Sequence, residues 1–382
     1  MPIYERGLIL KYNYAASCLF GLEGLVADEL RRMGAENVAA ENGRVFFSGG
    51  DDILCRANIC SRFAERIMIY MGSFKAETFD ELFDGVKSLP WESFIGRDDA
   101  FPVKGWSINS KLHSVPGCQS IIKKAVVDRL KSIYGISWFK ESGAAYRISF
   151  SIMKNTASLY IDTSGEGLHK RGYRPKSNAA PIKETLAAAM ASLTGIFDDS
   201  QVYDPFCGSG TILIESAMIA ANIAPGAKRR FAAESFNQID LSVWKSEREK
   251  AHDEEKRNIK FMAFGSDVDK AAVSLTLSNS SAAGVGSFIK AHAADISDFE
   301  ATGASGKVIT NPPYGERLSD KRHAAQLYKI MGERFIKQPG WRYSVISPDD
   351  KFEYIFGRKA DKRRKLYNGM IQCQLYMYFK VK

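Results

Sequence analysis

The apolar positions of the chain change period along its length, and each change marks an element. "YNYAASCLFG" is an apolar run expected to be a strand, and "GLEGLVADELRRMG" spaces Leu22, Leu25, Val26, Leu30 and Met33 at helical intervals. "GRVFFSG" reads as a short strand and "LCRANICSRFAERIMIYMG" as a second helix-like stretch, so residues 1–72 are expected to form a small α+β unit. The pattern restarts at Ser73. "AETFDELFDGVKSL" is helical, "FPVKGWSINSKLHS" extended and "CQSIIKKAVVDRLKSIYG" helical. "AYRISFSIMKNTASLYID" reads as two strands around Lys154–Asn155, which completes a second unit over residues 73–165.

Residues 166–382 alternate strand-like and helix-like runs: "QVYD" then "TILIESAMIAANIA", "FMAFGSD" then "DKAAVSLTLSNSSAAG", "SFIKAHAAD", "KVITN" then "HAAQLYKIMGERFI", and "WRYSVISPD". Such alternation predicts an α/β domain, a mostly parallel sheet with helices on both faces. The end departs from it. "RRKLYNGMIQCQLYMYFKVK" sets Asn368–Gly369 between two β-rich runs, which signals a type I′ hairpin. The charged stretch "LSVWKSEREKAHDEEKRNIK" is expected to be an exposed inserted helix, and "SGEGLHKRGYRPKSNAAP" has the composition of a linker.

Charge and cysteine content narrow the function. Lys and Arg number 53 against 44 Asp and Glu, a formal net charge of +9, which favours a polyanionic partner. The helix from Gln119 carries Lys123 and Lys124 away from its apolar face, and the linker carries Lys170, Arg171, Arg174 and Lys176. The run "GRKADKRRK" adds Arg363 and Arg364 near the terminal hairpin. Each of these groups is either a phosphate contact or a solvated face; Lys111 joins the first set. Six scattered Cys and five dispersed His, with no C-x-x-C pair, argue against a disulfide framework or a metal site. No run reaches the roughly 18 apolar residues of a membrane span, and the stretch from Met1 to Lys11 has no apolar signal core. A cytoplasmic protein is expected.

Two motifs carry the chemistry. "DPFCGSGTILIES" (204–216) places Asp204 and a Gly208–Gly210 pair between a strand and a helix. It is neither a Walker A loop nor a G-x-G-x-x-G fingerprint. An acid at that strand tip suits a cationic ligand such as S-adenosylmethionine. Asp267 ends the next strand, where a carboxylate can accept from ribose hydroxyls, and Asp295 ends the third, within reach of an adenine amino group. "NPPYGERL" (311–318) follows the fourth strand on the same rim. An exocyclic base amine is a poor nucleophile because its lone pair is delocalised. The Asn311 carboxamide and the Pro312 carbonyl can accept its N–H bonds and aim the lone pair at a methyl group, with consecutive prolines stiffening the loop. Tyr314 is expected to stack on the extruded base.

With these residues in hand, the chain resembles the THUMP-domain class I RNA methyltransferases, and among them the bacterial 23S rRNA guanine-N2 enzymes. "CLFGLEGLVADEL" and "GRVFFSG" resemble the ferredoxin-like entry unit, and "FPVKGWSINSKLHSVPGCQSIIKKAVVDRL" the THUMP core. "SGEGLHKRGYRPKSNAAPIKETLAAAM" is similar to the junction into the catalytic domain. The resemblance implies a class I, Rossmann-like methyltransferase domain with a seven-stranded sheet ending in an antiparallel hairpin, preceded by ferredoxin-like and THUMP domains. It further implies S-adenosyl-L-methionine at Asp204, Phe206, Gly208, Gly210, Thr211, Asp267 and Asp295, the target amine at Asn311 and Pro312, and RNA capture by the N-terminal domains. Some members carry a second methyltransferase domain. This chain stops at Lys382, so the activity of such a domain is expected to be absent.

Three other readings share parts of this pattern: a tRNA guanine-N2 enzyme, an adenine-N6 DNA methyltransferase, and a non-catalytic RNA-binding assembly factor. Intact donor and acceptor motifs speak against the last. No separate DNA-recognition region is visible. The sequence leaves the oligomeric state open.

Overall fold

The computed structural model describes residues 11–174, 181–315, 318–335 and 339–379. Lys176 of the basic linker, Glu316 and Arg317 of the second motif, and residues 1–10 lie outside the described residues.

Seven strands form the first sheet: β1 (Tyr12–Cys18), β2 (Glu36–Glu41), β3 (Arg44–Gly49), β4 (Ala64–Lys75), β5 (Val103–Ile108), β6 (Ile148–Met153) and β7 (Thr156–Asp162). Their order is β2-β3-β1-β4-β7-β6-β5, and only β5 and β6 run parallel. Helices α1 (Glu23–Arg32), α2 (Asp51–Cys60), α3 (Phe79–Lys87) and α4 (Val115–Tyr134) belong to this body. The helix expected from Leu54 onward stops at Cys60, and the chain continues as β4. Ile67, Met68 and Ile69 are all buried, so this central strand is a continuous apolar run, which periodicity alone does not separate from a helix. Strand β4 pairs with β1 on one side and β7 on the other, so the boundary expected at residue 72 falls inside a strand.

The β6–β7 connection is the two-residue turn Lys154–Asn155, both with positive φ (51° and 61°), as a type I′ hairpin requires.

The second sheet holds β8 (Gln201–Asp204), β9 (Met262–Asp267), β10 (Ile289–Ala293), β11 (Gly306–Thr310), β12 (Trp341–Ser347), β13 (Lys362–Asn368) and β14 (Ile371–Tyr378), ordered β10-β9-β8-β11-β12-β14-β13. It is parallel through β12, and β14 is antiparallel to both its neighbours. The hairpin therefore lies beside β12, one strand away from β11. Its turn also differs. Asn368 pairs with Ile371, so the turn residues are Gly369 and Met370, and only Gly369 has positive φ (62°), the signature of a type II′ turn.

Helices α5 (Glu184–Thr194), α6 (Thr211–Ala220), α7 (Leu241–Asp253), α8 (Lys270–Ala283), α9 (Leu318–Arg334) and α10 (Phe352–Phe356) complete the domain. Helix α6 is buried almost all round, as its uniformly apolar sequence demands. The charged helix α7 is not a free insertion: it buries Trp244, Glu247 and Ala251 and packs on α2.

Between the two sheets the contacts are apolar, hydrogen-bonded and ionic. Arg56 Nε donates to Glu247 Oε2 at 2.7 Å, Arg62 Nη1 to the Ile223 carbonyl at 2.9 Å, and the Tyr146 and Phe236 rings stack at 4.0 Å. Arg364 Nη2 donates to the Gly21 carbonyl at 2.8 Å, which docks the terminal hairpin on the N-terminal body.

Candidate functional site

Parallel pairing in register brings the carboxyl ends of β8, β9, β10 and β11 to one rim: Asp204 lies beside Gly265, Asp267 beside Ala293, and Val308 beside Tyr203. The turn after β8 is held from two directions. Cys207 N–H donates to the Ser266 carbonyl at 3.0 Å, and Gly208 N–H to Asp267 Oδ2 at 3.0 Å. Gly210 caps α6 with φ of +81°, and a Cβ there would sit 2.9 Å from Thr276 Cγ2. Glycine is required at that position on both counts.

A cleft of about 590 Å³ opens on this rim. Asp267, Val268, Asp295 and Ile296 line its side toward β9 and β10, and Asn311, Pro312 and Tyr314 line it from the loop after β11. Phe206, of the donor turn, reaches it too. Asp267 Oδ1 accepts from Asp269 N–H at 3.0 Å, so both its oxygens brace the rim. Asp295 accepts from the Ser297 N–H at 2.8 Å, which keeps its carboxyl below the usual aspartate range and hence ionised.

Asp204 does not line this cleft. It is 1% exposed, and its Oδ1 accepts from Thr310 Oγ1 at 2.7 Å and Phe206 N–H at 3.1 Å. Burial pushes its carboxyl up to about 7, against the pull of those two donors. It borders a separate cleft with Tyr203 and Phe264. Direct pairing with a cationic ligand, expected from the sequence, gives way to an internal role: the acid fixes the turn and holds the residue before Asn311. Gly208 and Gly210 shape the turn without lining the cleft. Thr211 is buried, and its Oγ1 accepts from Arg174 Nη1 at 2.8 Å.

Tyr314 donates its hydroxyl to Asn311 Oδ1 and accepts from Asn368 Nδ2 at 3.4 Å. Burial raises its phenol pKa, so the group stays a donor. The carboxamide oxygen is thereby oriented, and the loop is tied to the hairpin. The sequence pointed to the tyrosine ring, as a surface for a base; the structure shows contacts of its hydroxyl.

The basic residues divide. Arg171 is 5% exposed, inside a cluster in which it faces Glu215 at 3.5 Å and donates to the Leu168 and Arg62 carbonyls. Tyr173 donates to the same Glu215 oxygen at 2.9 Å. Arg174 pairs with Glu184 at 3.0 Å. Neither arginine is the surface phosphate contact that linker composition suggested, because a buried carboxylate holds each of them inside. Arg364 is engaged by Gly21, and Arg363 by Glu353. Lys111 pairs with Glu77, Lys123 with Glu141, and Lys124 is exposed beside the Phe83 ring.

Lys183, Val268, His323, Leu327 and Asn368 also line the cleft, and the sequence marked none of them as a site residue, Asn368 only as a turn. Val268 carried a signal: an apolar residue directly after a strand-end acid, here 70% exposed. The others come from distant segments and carried none.

Three family models account for the chain: an RlmL ferredoxin-like domain over residues 13–68, a THUMP domain over 76–162, and an RMKL-like methyltransferase domain over 171–377. The solved structure of SMU.472 complexed with SAH superposes with a TM-score of 0.92 at 40% identity, covering 97% of this chain and 99% of that one. The fold is that of a methyltransferase that uses S-adenosylmethionine. "Putative RNA methyltransferase YpsC" of Bacillus subtilis (strain 168) is 43% identical over 97% of this chain and 96% of its own. The ribosomal RNA large subunit methyltransferase K/L of Shewanella amazonensis (strain ATCC BAA-1098 / SB2B) is 33% identical over 96% of this chain, which spans about half, 53%, of that relative. The chain belongs to the RMKL-like methyltransferase family. Among the described residues, no helix is long and apolar enough to cross a membrane.

Proposed function

We propose that the protein methylates the exocyclic N2 amine of a guanine in RNA, with 23S rRNA the leading substrate. The observation that carries this reading is the meeting of Asn311, Pro312 and Tyr314 with Asp267 and Asp295 in one cleft.

The donor set fits the cofactor. Asp267 and Asp295 offer carboxylates to a ribose and an adenine amine, and Val268 and Ile296 supply apolar wall for a purine. When bound, S-adenosylmethionine supplies an electrophilic methyl group. The chain's own residues hold and orient the target amine, while the thioether departs neutral and the amine's surplus proton leaves to water. Asn311 Oδ1, oriented by Tyr314, and the Pro312 carbonyl accept the two N–H bonds of the target amine and localise its lone pair. Their rigidity matters, since dipoles fixed in advance need no reorganisation during reaction. Extruding a base into the cleft removes it from competing stacking and pairing.

RNA is supported by the THUMP match, by the names of the relatives, and by exposed groups on the N-terminal body. Lys124 is one; Trp138, 79% exposed, offers an aromatic face for a base. The choice of guanine over adenine rests on the motif resemblance, because both bases present an exocyclic amine.

The test is nucleoside mass spectrometry of rRNA and tRNA from a strain lacking the gene. Loss of N2-methylguanosine from 23S rRNA supports the reading. Its loss from tRNA alone moves the substrate, and loss of N6-methyladenine moves the base.

A further inference from the structure

Lys183 stands just before α5, lines the cleft, and is the one lysine or arginine among the described residues that do. Its ammonium donates to Glu65 Oε2 at 3.0 Å. Glu65 belongs to β4, in the other body of the protein. It is firmly held: Thr185 Oγ1 donates to its Oε1 at 2.5 Å, and His169 Nδ1 lies 3.0 Å from Oε2. Burial alone would raise its carboxyl, yet these partners hold it down to about 2. An anion fixed in this way fixes Lys183 in turn. An ammonium has three N–H donors, of which Glu65 takes one.

The sheet order says which end of the cleft Lys183 serves. Helix α5 packs against β11 and β12, on the Asn311 side of β8, whereas Asp267 and Asp295 end β9 and β10 on the opposite side. The donor has a nucleoside end and a zwitterionic amino-acid end. Its nucleoside end matches the two acids. The carboxylate at its other end, removed from water, needs a charged donor.

We propose that Lys183 receives the carboxylate of the donor's amino-acid end, and that Glu65 holds it there, so that the donor site is completed by a residue of the N-terminal body. The proposal rests on the donor assignment and not on the RNA reading. Occupancy of the donor site and the seating of the N-terminal body are then linked through one ion pair.

Calorimetry on the full chain separates the parts. The probes are S-adenosylhomocysteine and 5′-methylthioadenosine, which keeps the nucleoside and lacks the amino-acid end. Lys183→Met should lose at least tenfold in affinity for S-adenosylhomocysteine and stay within twofold for methylthioadenosine, with partial recovery in Lys183→Arg. Glu65→Gln should show a smaller loss with the same selectivity. Wild-type affinity in Lys183→Met, or equal losses for both probes, overturns the carboxylate assignment. A Glu65→Gln protein indistinguishable from wild type overturns the link between bodies. A wild-type chain that binds neither probe overturns the donor assignment itself, and the proposal with it.

Discussion

Thr310 and Asp204 bind each other across neighbouring strands: Thr310 Oγ1 donates to Asp204 Oδ1 at 2.7 Å, with both residues 1% exposed or less. Asp204 opens the donor turn, and Thr310 precedes Asn311. The two motifs, a hundred residues apart in sequence, are thus joined by a buried bond as well as by the pairing of their strands.

The burial of Asp204 gives a pH signature. Unfolded, Asp204 loses its proton near pH 4; folded, near 7. Between these values the folded state holds more protons than the unfolded one, so this contribution is fully present below about pH 4 and is lost as pH rises to 7 and beyond. Asp204→Asn keeps an acceptor for Thr310 and removes the titration. Its melting temperature relative to wild type should rise from about pH 5 to about pH 8, by the equivalent of a few kcal/mol at most. A difference that stays constant with pH would mean the carboxyl is ionised throughout.

Asp267→Ala removes the acceptor for Gly208 N–H as well as the expected ribose partner. Affinity for S-adenosylhomocysteine should fall by about 1.5–3 kcal/mol, the range for a hydrogen bond to a charged group. Calorimetry at wild-type strength would show that the cleft is used differently.

Asn311→Ala should reduce methyl transfer at least tenfold, about 1.4 kcal/mol in the barrier, with donor affinity unchanged. Tyr314→Phe keeps the ring and deletes the hydroxyl that orients Asn311, so a several-fold fall in turnover, about 1 kcal/mol, is expected. Single-turnover rates decide. If Tyr314→Phe is fully active, the carboxamide is oriented by other means.

Arg171 and Lys124 should behave as opposites. Arg171→Met leaves Glu215 buried without its cation and should cost about 3–5 kcal/mol in denaturation, without a change in the salt dependence of RNA binding. Lys124→Ala should leave stability near wild type and flatten the salt slope by up to about 0.9. Filter binding over a salt series, with chemical denaturation alongside, tests both.

The catalytic domain was legible because its alternation is long and its rim residues sit at strand ends, where composition is distinctive. Asp267, Asp295 and Asn311 fall where the strand pattern placed them. Three features were hidden for separate reasons. Strand β4 is buried through Ile67–Ile69, and a continuous apolar run has no period to read. The segment around Arg171 and Tyr173 is rich in Gly and charge, as a solvated linker is, yet long-range partners bury it. The hairpin turn moved by one residue because pairing of Asn368 with Ile371, not the Asn-Gly dipeptide, sets the register. Lys183 could not be found at all without Glu65, more than a hundred residues away.

The junction of the two sheets has a geometric consequence. Among the described residues, Arg56 with Glu247, Arg62 with Ile223, Arg171 with the Arg62 carbonyl and Arg364 with Gly21 tie one body to the other. If, as proposed, a substrate is gripped by the N-terminal body and modified at Asn311, it has a distance to span between them. Under the proposed function these ties act as a caliper: an RNA held by one body would present its base to the other only where its own fold spans the gap.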